Sequence, residues 1–302
     1  MEIEIWTGQI QNEMLLSMTK SGYFLALIII LINFSGTTPS ELGSGYEVAK
    51  RMFESTSQIE ALTYTISKKE RIEGAMTHQI SQTKMQKSPY CVYLRQNFPN
   101  DGMEVLYVEG QYNNKALINP NGFPWLNLKL NPLDGIMRND QHHTIFQSGF
   151  DHVVSILEFL CNKYQSQINE MVVYNGIVDQ KGRVSHSISF NNPYFEIISY
   201  SVLKGENIEK IASKFKLSAY MILELNPDIK DMDDVFPGDI INIPNDYAPE
   251  LHLAIDTIDW IPLKMEVYDK NGLFELYEYS GVTINPDLST TDFSSRNEAY
   301  GF

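Results

Sequence analysis

The chain is expected to form an α+β fold, an extended antiparallel sheet with helices on one face plus a small βααβ unit set into it. Three observations lead there. Short runs rich in β-branched and aromatic residues recur between turn residues from 63 to 119 and again from 251 to 279, the mark of antiparallel strands. Two apolar stripes at helical spacing accompany them, one through Tyr46, Ala49, Met52 and Phe53, the other through Val153, Val154, Ile156, Leu157, Leu160 and Cys161. Finally, Tyr200 to Pro244 packs strand, helix, helix and strand into one short stretch.

In chain order, the first stripe gives a helix, with Ile59 and Leu62 beyond a Ser55-Thr56-Ser57 break. Residues 63–68 alternate and put Tyr64 and Ile66 on one side of a strand. Residues 76–86 are polar and extended, 90–95 and 104–108 are strands, and 115–119 repeat the theme before a Pro120-Asn121-Gly122 turn. Residues 128–135 read as loop. The second stripe predicts a helix over 150–164, with His152 at its surface or cap. Late in the chain, 251–255 and 265–268 are strands, and Asp269-Lys270-Asn271-Gly272 turns the chain into a returning strand at 274–279. A lone hairpin is marginal in water, so this one is expected to join the earlier strands. One domain then has two parts, 41–196 and 246–302, with 197–245 inserted. Such a sheet, when curved, encloses either an apolar cavity or a packed core.

The segment 1–40 reads as an extension followed by a secretory signal. Lys20 precedes an apolar run at 23–34, and Ser35-Gly36-Thr37-Thr38-Pro39-Ser40 follows it. The run is short for a membrane span. Glu2, Glu4 and Glu13 are unusual ahead of a signal, which makes Met14 or Met18 a candidate start. Cleavage between Gly36 and Ser44 would release an exported, periplasmic or envelope protein. A retained N-terminal anchor is the alternative. No cysteine follows the run to carry a lipid.

In the small unit, Ile208, Ile211, Ala212 and Phe215 recur at helical spacing, and a second stripe runs through Met221, Ile222 and Leu225. Asn226-Pro227 stops the second helix. Gly205-Glu206-Asn207 turns the first strand into its helix, and Pro237-Gly238-Asp239 leads into the return strand Ile240-Ile241-Asn242-Ile243. This pattern resembles a LysM module, the glycan-binding unit of cell-wall proteins. The resemblance implies a shallow groove for N-acetylglucosamine polymers, peptidoglycan or chitin. One wall would be Gly205, Glu206, Asn207 and Ile208; the other would be Asn226, Pro227, Asp228 and Ile229. Much of the binding in that family is by backbone groups. A single copy lacks the avidity of tandem modules. The other reading is a packing module with an idle groove.

The C-terminal stretch carries Ile261-Pro262, Val267-Tyr268-Asp269, Gly272, Tyr277, Tyr279, Ile284-Asn285-Pro286 and Asp292-Phe293. It resembles the DUF1571 family of exported bacterial proteins, and also the last hairpin of lipoprotein carriers of the LolA/LolB type. The second likeness implies a half-open barrel whose mouth is filled by helices and whose interior takes acyl chains. A lipid or lipoprotein would then be a partner. An envelope scaffold or sensor acting through protein contacts is the alternative.

No catalytic frame is legible. The chain has no G-x-S-x-G, no H-E-x-x-H and no P-loop. His142-His143 is the only histidine pair, with no ligand at metal spacing, and reads as a polar loop before Thr144-Ile145-Phe146. The reading is therefore non-catalytic, with no metal and no cofactor. Cys91 and Cys161 are either a disulfide or two buried thiols. A net charge of −15 speaks against nucleic acid, which needs a basic stripe, and against bare attraction to anionic surfaces. The acidic run from Asp228 to Asp234 lies beside one wall of the expected groove.

Overall fold

The structure is a computed structural model that describes residues 44–138 and 141–302. The signal and anchor readings of 1–40 lie outside the described residues. Among the described residues no helix is long and apolar enough to cross a membrane.

The first helix, α1 (Gly45–Thr56), starts at Ser44, whose hydroxyl caps the Glu47 N–H. A meander follows: β1 (Ala61–Ile72), β2 (Ala75–Gln86), β3 (Cys91–Phe98), β4 (Glu104–Val108), β5 (Ala116–Asn119) and β6 (Leu128–Leu130). Three helices come next, α2 (Gly135–Arg138), α3 (Asp151–Lys163) and α4 (Ile168–Met171), then the hairpin β7 (Val172–Gln180) and β8 (Arg183–Asn191). The small unit is β9 (Ile197–Ser201), α5 (Ile208–Phe215), α6 (Ala219–Glu224) and β10 (Ile240–Pro244). Strands β11 (Glu250–Asp256), β12 (Pro262–Asp269) and β13 (Gly272–Ile284) follow, and a 3-10 turn at Thr290–Phe293 comes last.

Eleven strands make one antiparallel sheet in the order β6-β5-β4-β3-β2-β1-β13-β12-β11-β8-β7, while β9 and β10 pair only with each other. Strand β13 returns to the centre and pairs with β1 from Leu62↔Ile284 to Glu70↔Glu275. Two tight hairpins fix the registers of β1 with β2 and of β7 with β8. Glu73-Gly74 and Lys181-Gly182 all have positive φ, the backbone of the two-residue turn whose twist matches that of its strands.

The half-barrel expectation is corrected here. The sheet is not strongly curved, and it is not closed: its ends, β6 and β7, pair only inward, with β5 and β8. Closure requires the two edge strands to pair with each other, and β6 spans only three residues. The β7–β8 hairpin was not read from the sequence, and the expected loop at 128–135 contains β6.

Helices cover one face. Val48, Ala49 and Met52 of α1 and Val153, Ile156, Leu157 and Leu160 of α3 share a core with Leu62, Tyr64, Val92, Ile188, Phe190, Leu253 and Phe274. Successive strand residues point to opposite faces, so Cys91, Tyr93 and Leu106 form a second core on the other side. The C-terminal segment covers it with Phe293, Tyr300 and Phe302. Tyr300 stacks on Tyr93 at 3.7 Å. Cys91 thus lies in a different core from Cys161, and both are buried free thiols.

Candidate functional site

The small unit has its own core of Val202, Ile208, Ile211, Leu217, Ile222, Ile241 and Ile243. Asn207 begins α5 in extended conformation, and its Oδ1 accepts the Lys210 N–H at 3.0 Å. Its Nδ2 donates to Asp233 at 2.7 Å, and the Ile208 N–H donates to the Met232 carbonyl at 2.9 Å. The first predicted wall is therefore tied to the acidic loop that continues the second.

The eight predicted residues divide by what they do. Glu206 accepts from Tyr200, the Leu203 N–H and Lys214. Burial alone would raise its carboxyl, but these contacts hold it below the ordinary value. Asn226 binds Asn242 through both ends of its amide, 2.7 and 2.8 Å, which pins the end of α6 to β10. Ile208 is fully buried and Ile229 packs against the same core. Gly205, Pro227 and Asp228 are exposed. Gly205 has φ +84° with open space where a Cβ would sit, so glycine serves the turn rather than a close contact.

Residues 200–244 match the LysM domain family and residues 59–194 match the family described as protein of unknown function, DUF1571. This chain carries a DUF1571 domain and a LysM domain. The DUF1571 match falls before the LysM module, whereas the motif residues from Ile261 to Phe293 fall after it. Comparison with the curated proteins gives no match. Three similar solved structures are a DUF1329 family protein from Desulfovibrio piger, the MucA/MucB complex of Pseudomonas aeruginosa, and a LolA superfamily protein from Nitrosomonas europaea. The first is 9% identical, covering 83% of this chain and 96% of that one at a TM-score of 0.33. The second is 11% identical, covering 83% and 60% at 0.38. The third is 8% identical, covering 83% and 97% at 0.28. These scores are too low to carry anything known of those proteins over to this chain.

The LysM module is docked on the DUF1571 side through α6. Met221 belongs to the large core, with Tyr220 and Leu225 packed against it. The Tyr220 hydroxyl accepts the Glu73 N–H at 2.8 Å. Glu224 lies 3.6 Å from Arg71, which also forms a two-pronged ion pair with Asp269. Arg138 pairs with Glu209 of α5.

Beneath Tyr220 lies a buried polar cluster that sequence reasoning missed. His142 is 2% exposed, so the expected polar loop is corrected to an interior position. Its ring stacks between Tyr220 and Phe274, at 4.5 and 4.3 Å. Nδ1 is 2.7 Å from a Glu275 oxygen and Nε2 is 2.9 Å from the Arg71 carbonyl. Both partners are acceptors, so both nitrogens carry protons and the ring is an imidazolium. Burial opposes that charge, but Glu275 overcomes it and raises the histidine above its ordinary value. Tyr247 donates to the other Glu275 oxygen at 2.8 Å. Burial would raise Glu275 too, yet the neighbouring histidines hold it well below the carboxylate range. His152, expected at the helix surface, turns inward to 4.8 Å from His143. Burial, then His143, pushes it down to about 3. Among the described residues no group of three or more His, Cys, Asp or Glu is placed to hold a metal ion.

Proposed function

We propose that this is a non-catalytic cell-envelope protein whose LysM module docks on peptidoglycan or another N-acetylglucosamine-containing glycan. In this reading the DUF1571 domain presents a second partner, a lipid or lipoprotein, at the wall. The observation that carries it is the LysM match over 200–244. The exposure of Gly205, Pro227 and Asp228 at the two expected walls supports it. Glu206, Asn207 and Asn226 spend their side chains within the module, which leaves glycan contact to the backbone and to those exposed positions. The same commitment favours a second reading, an envelope scaffold or sensor acting through protein contacts with an idle groove.

Co-sedimentation of the exported form with purified peptidoglycan, competed by N-acetylglucosamine oligomers, separates the two. Asn226 is a poor control because it holds β10. Asp228→Trp places a bulky ring on an exposed wall instead. Loss of about tenfold in affinity, roughly 1.4 kcal/mol, with the circular dichroism unchanged, supports docking. Absence of wild-type binding supports the scaffold.

A further inference from the structure

Glu70 is 1% exposed, and its two oxygens have different fates. Oε1 accepts the Tyr277 hydroxyl at 2.6 Å. Oε2 is buried without a hydrogen bond; Lys68 Nζ lies 3.3 Å away and itself donates to Gln141 at 3.1 Å. A buried acceptor left without a hydrogen bond is costly, more so when charged. Native interiors rarely carry one without a reason.

Glu70 lines a cavity of about 110 Å³ between the sheet and the start of α3. Its walls include Ile66, Leu94, Ile145, Val153, Met265 and Tyr279 on the apolar side, and Lys68, His143 and His152 on the polar side. An apolar cavity of about 150 Å³ holds one benzene, so this smaller one suits a body of about four carbons.

The two buried carboxylates are already answered. Lys68 neighbours Glu70, the imidazolium of His142 and the His143 Nε2, 3.4 Å away, face Glu275, and His152 is held neutral. A charged newcomer would leave one buried charge unopposed, which is strongly unfavourable. We propose that this cavity binds a small neutral amphiphile, an alcohol or amide whose O–H or N–H donates to the Glu70 carboxylate and whose apolar body lies against Leu94 and Val153. The site is independent of glycan docking by the LysM module.

The test titrates the full chain with butan-1-ol, butanoate and butylammonium by calorimetry at neutral pH. Butan-1-ol is expected to bind saturably and both ions to bind at least about tenfold more weakly. Leu94→Trp, which fills the cavity and leaves Glu70 untouched, should abolish binding. Glu70→Gln should weaken butan-1-ol by about tenfold, since a charged acceptor is replaced by a neutral one. It should also create butanoate binding, because Lys68 is then unopposed. A merely structural Glu70 gives no such reversal. The proposal is overturned if butan-1-ol does not bind, if either ion matches it in the wild type, if Leu94→Trp leaves it unchanged, or if folded Glu70→Gln shows no reversal.

Discussion

Glu70 and Glu275 are direct cross-strand partners in the β1–β13 ladder, and both are almost wholly buried. Like charges directly opposite destabilise a sheet, so each must be answered locally. His142 answers Glu275 and Lys68 answers Glu70. Removing a partner from a buried pair strands the other charge, at about 3–5 kcal/mol. His142→Leu is therefore expected to lose stability of that order in urea unfolding. Adding Glu275→Gln should recover part of the loss, because the stranded charge is gone. A double variant no more stable than His142→Leu alone would contradict this.

Acid sensitivity follows from His152. Unfolded, it takes up its proton near pH 6.5; folded, only near pH 3. Between those values the unfolded chain holds more protons, so stability falls as pH drops, by roughly 2 kcal/mol at pH 5. Glu70 and Glu275, both held below their ordinary values, add to the loss as pH falls through the carboxylate range. His142 runs the other way. Its raised value gives stability at low pH that disappears as pH rises through its folded value. Urea unfolding at pH 7 and pH 5 should show a smaller difference in His152→Leu than in the wild type.

The LysM module and most strands were legible because their signals are local. Asn207 caps α5 from the position just before it, and the alternation of Tyr64 and Ile66 needs only a few residues. The buried cluster was not legible, because its members are joined by register. Glu70 meets Glu275 only through the pairing of β1 with β13, and His142 enters from a loop between them in sequence. The β7–β8 hairpin had a usable signal in Lys181-Gly182, but β7 is largely exposed and lacks clean alternation. Closure of the sheet was never local. It depends on whether the two edge strands meet, and here they do not.

Tyr220 is expected to hold the LysM module against the sheet. It stacks on the His142 imidazolium and receives the Glu73 N–H. An aromatic face on a desolvated cation contributes about 2 kcal/mol, and the hydrogen bond adds about 1 kcal/mol. Tyr220→Ala should lower global stability by roughly 2–3 kcal/mol and speed proteolysis at the junctions near Pro193 and Pro249. Tyr220→Phe keeps the ring and should lose only about 1 kcal/mol. Equal losses in the two variants would mean that the stack contributes nothing.

Asp246 offers a second test of how the module is joined to the sheet. It is fully buried where the chain leaves β10, and it accepts from Tyr164 at 2.5 Å, from Asn192 at 2.9 Å and from Lys163 at 2.6 Å. Asn192 precedes β9 and Asp246 follows β10, so one carboxylate gathers both connections of the LysM module onto the end of α3. Asp246→Ala would orphan the Tyr164 hydroxyl and the Asn192 amide in the interior. The expected cost is about 1–3 kcal/mol for each orphaned group. Asp246→Asn keeps the shape and one acceptor oxygen, and should cost less. Hydrogen exchange gives the sharper reading, since loss of this tie should raise amide exchange in β9 and β10 more than in β1 and β2. Uniform acceleration across all four strands would show that Asp246 supports the whole fold rather than the junction.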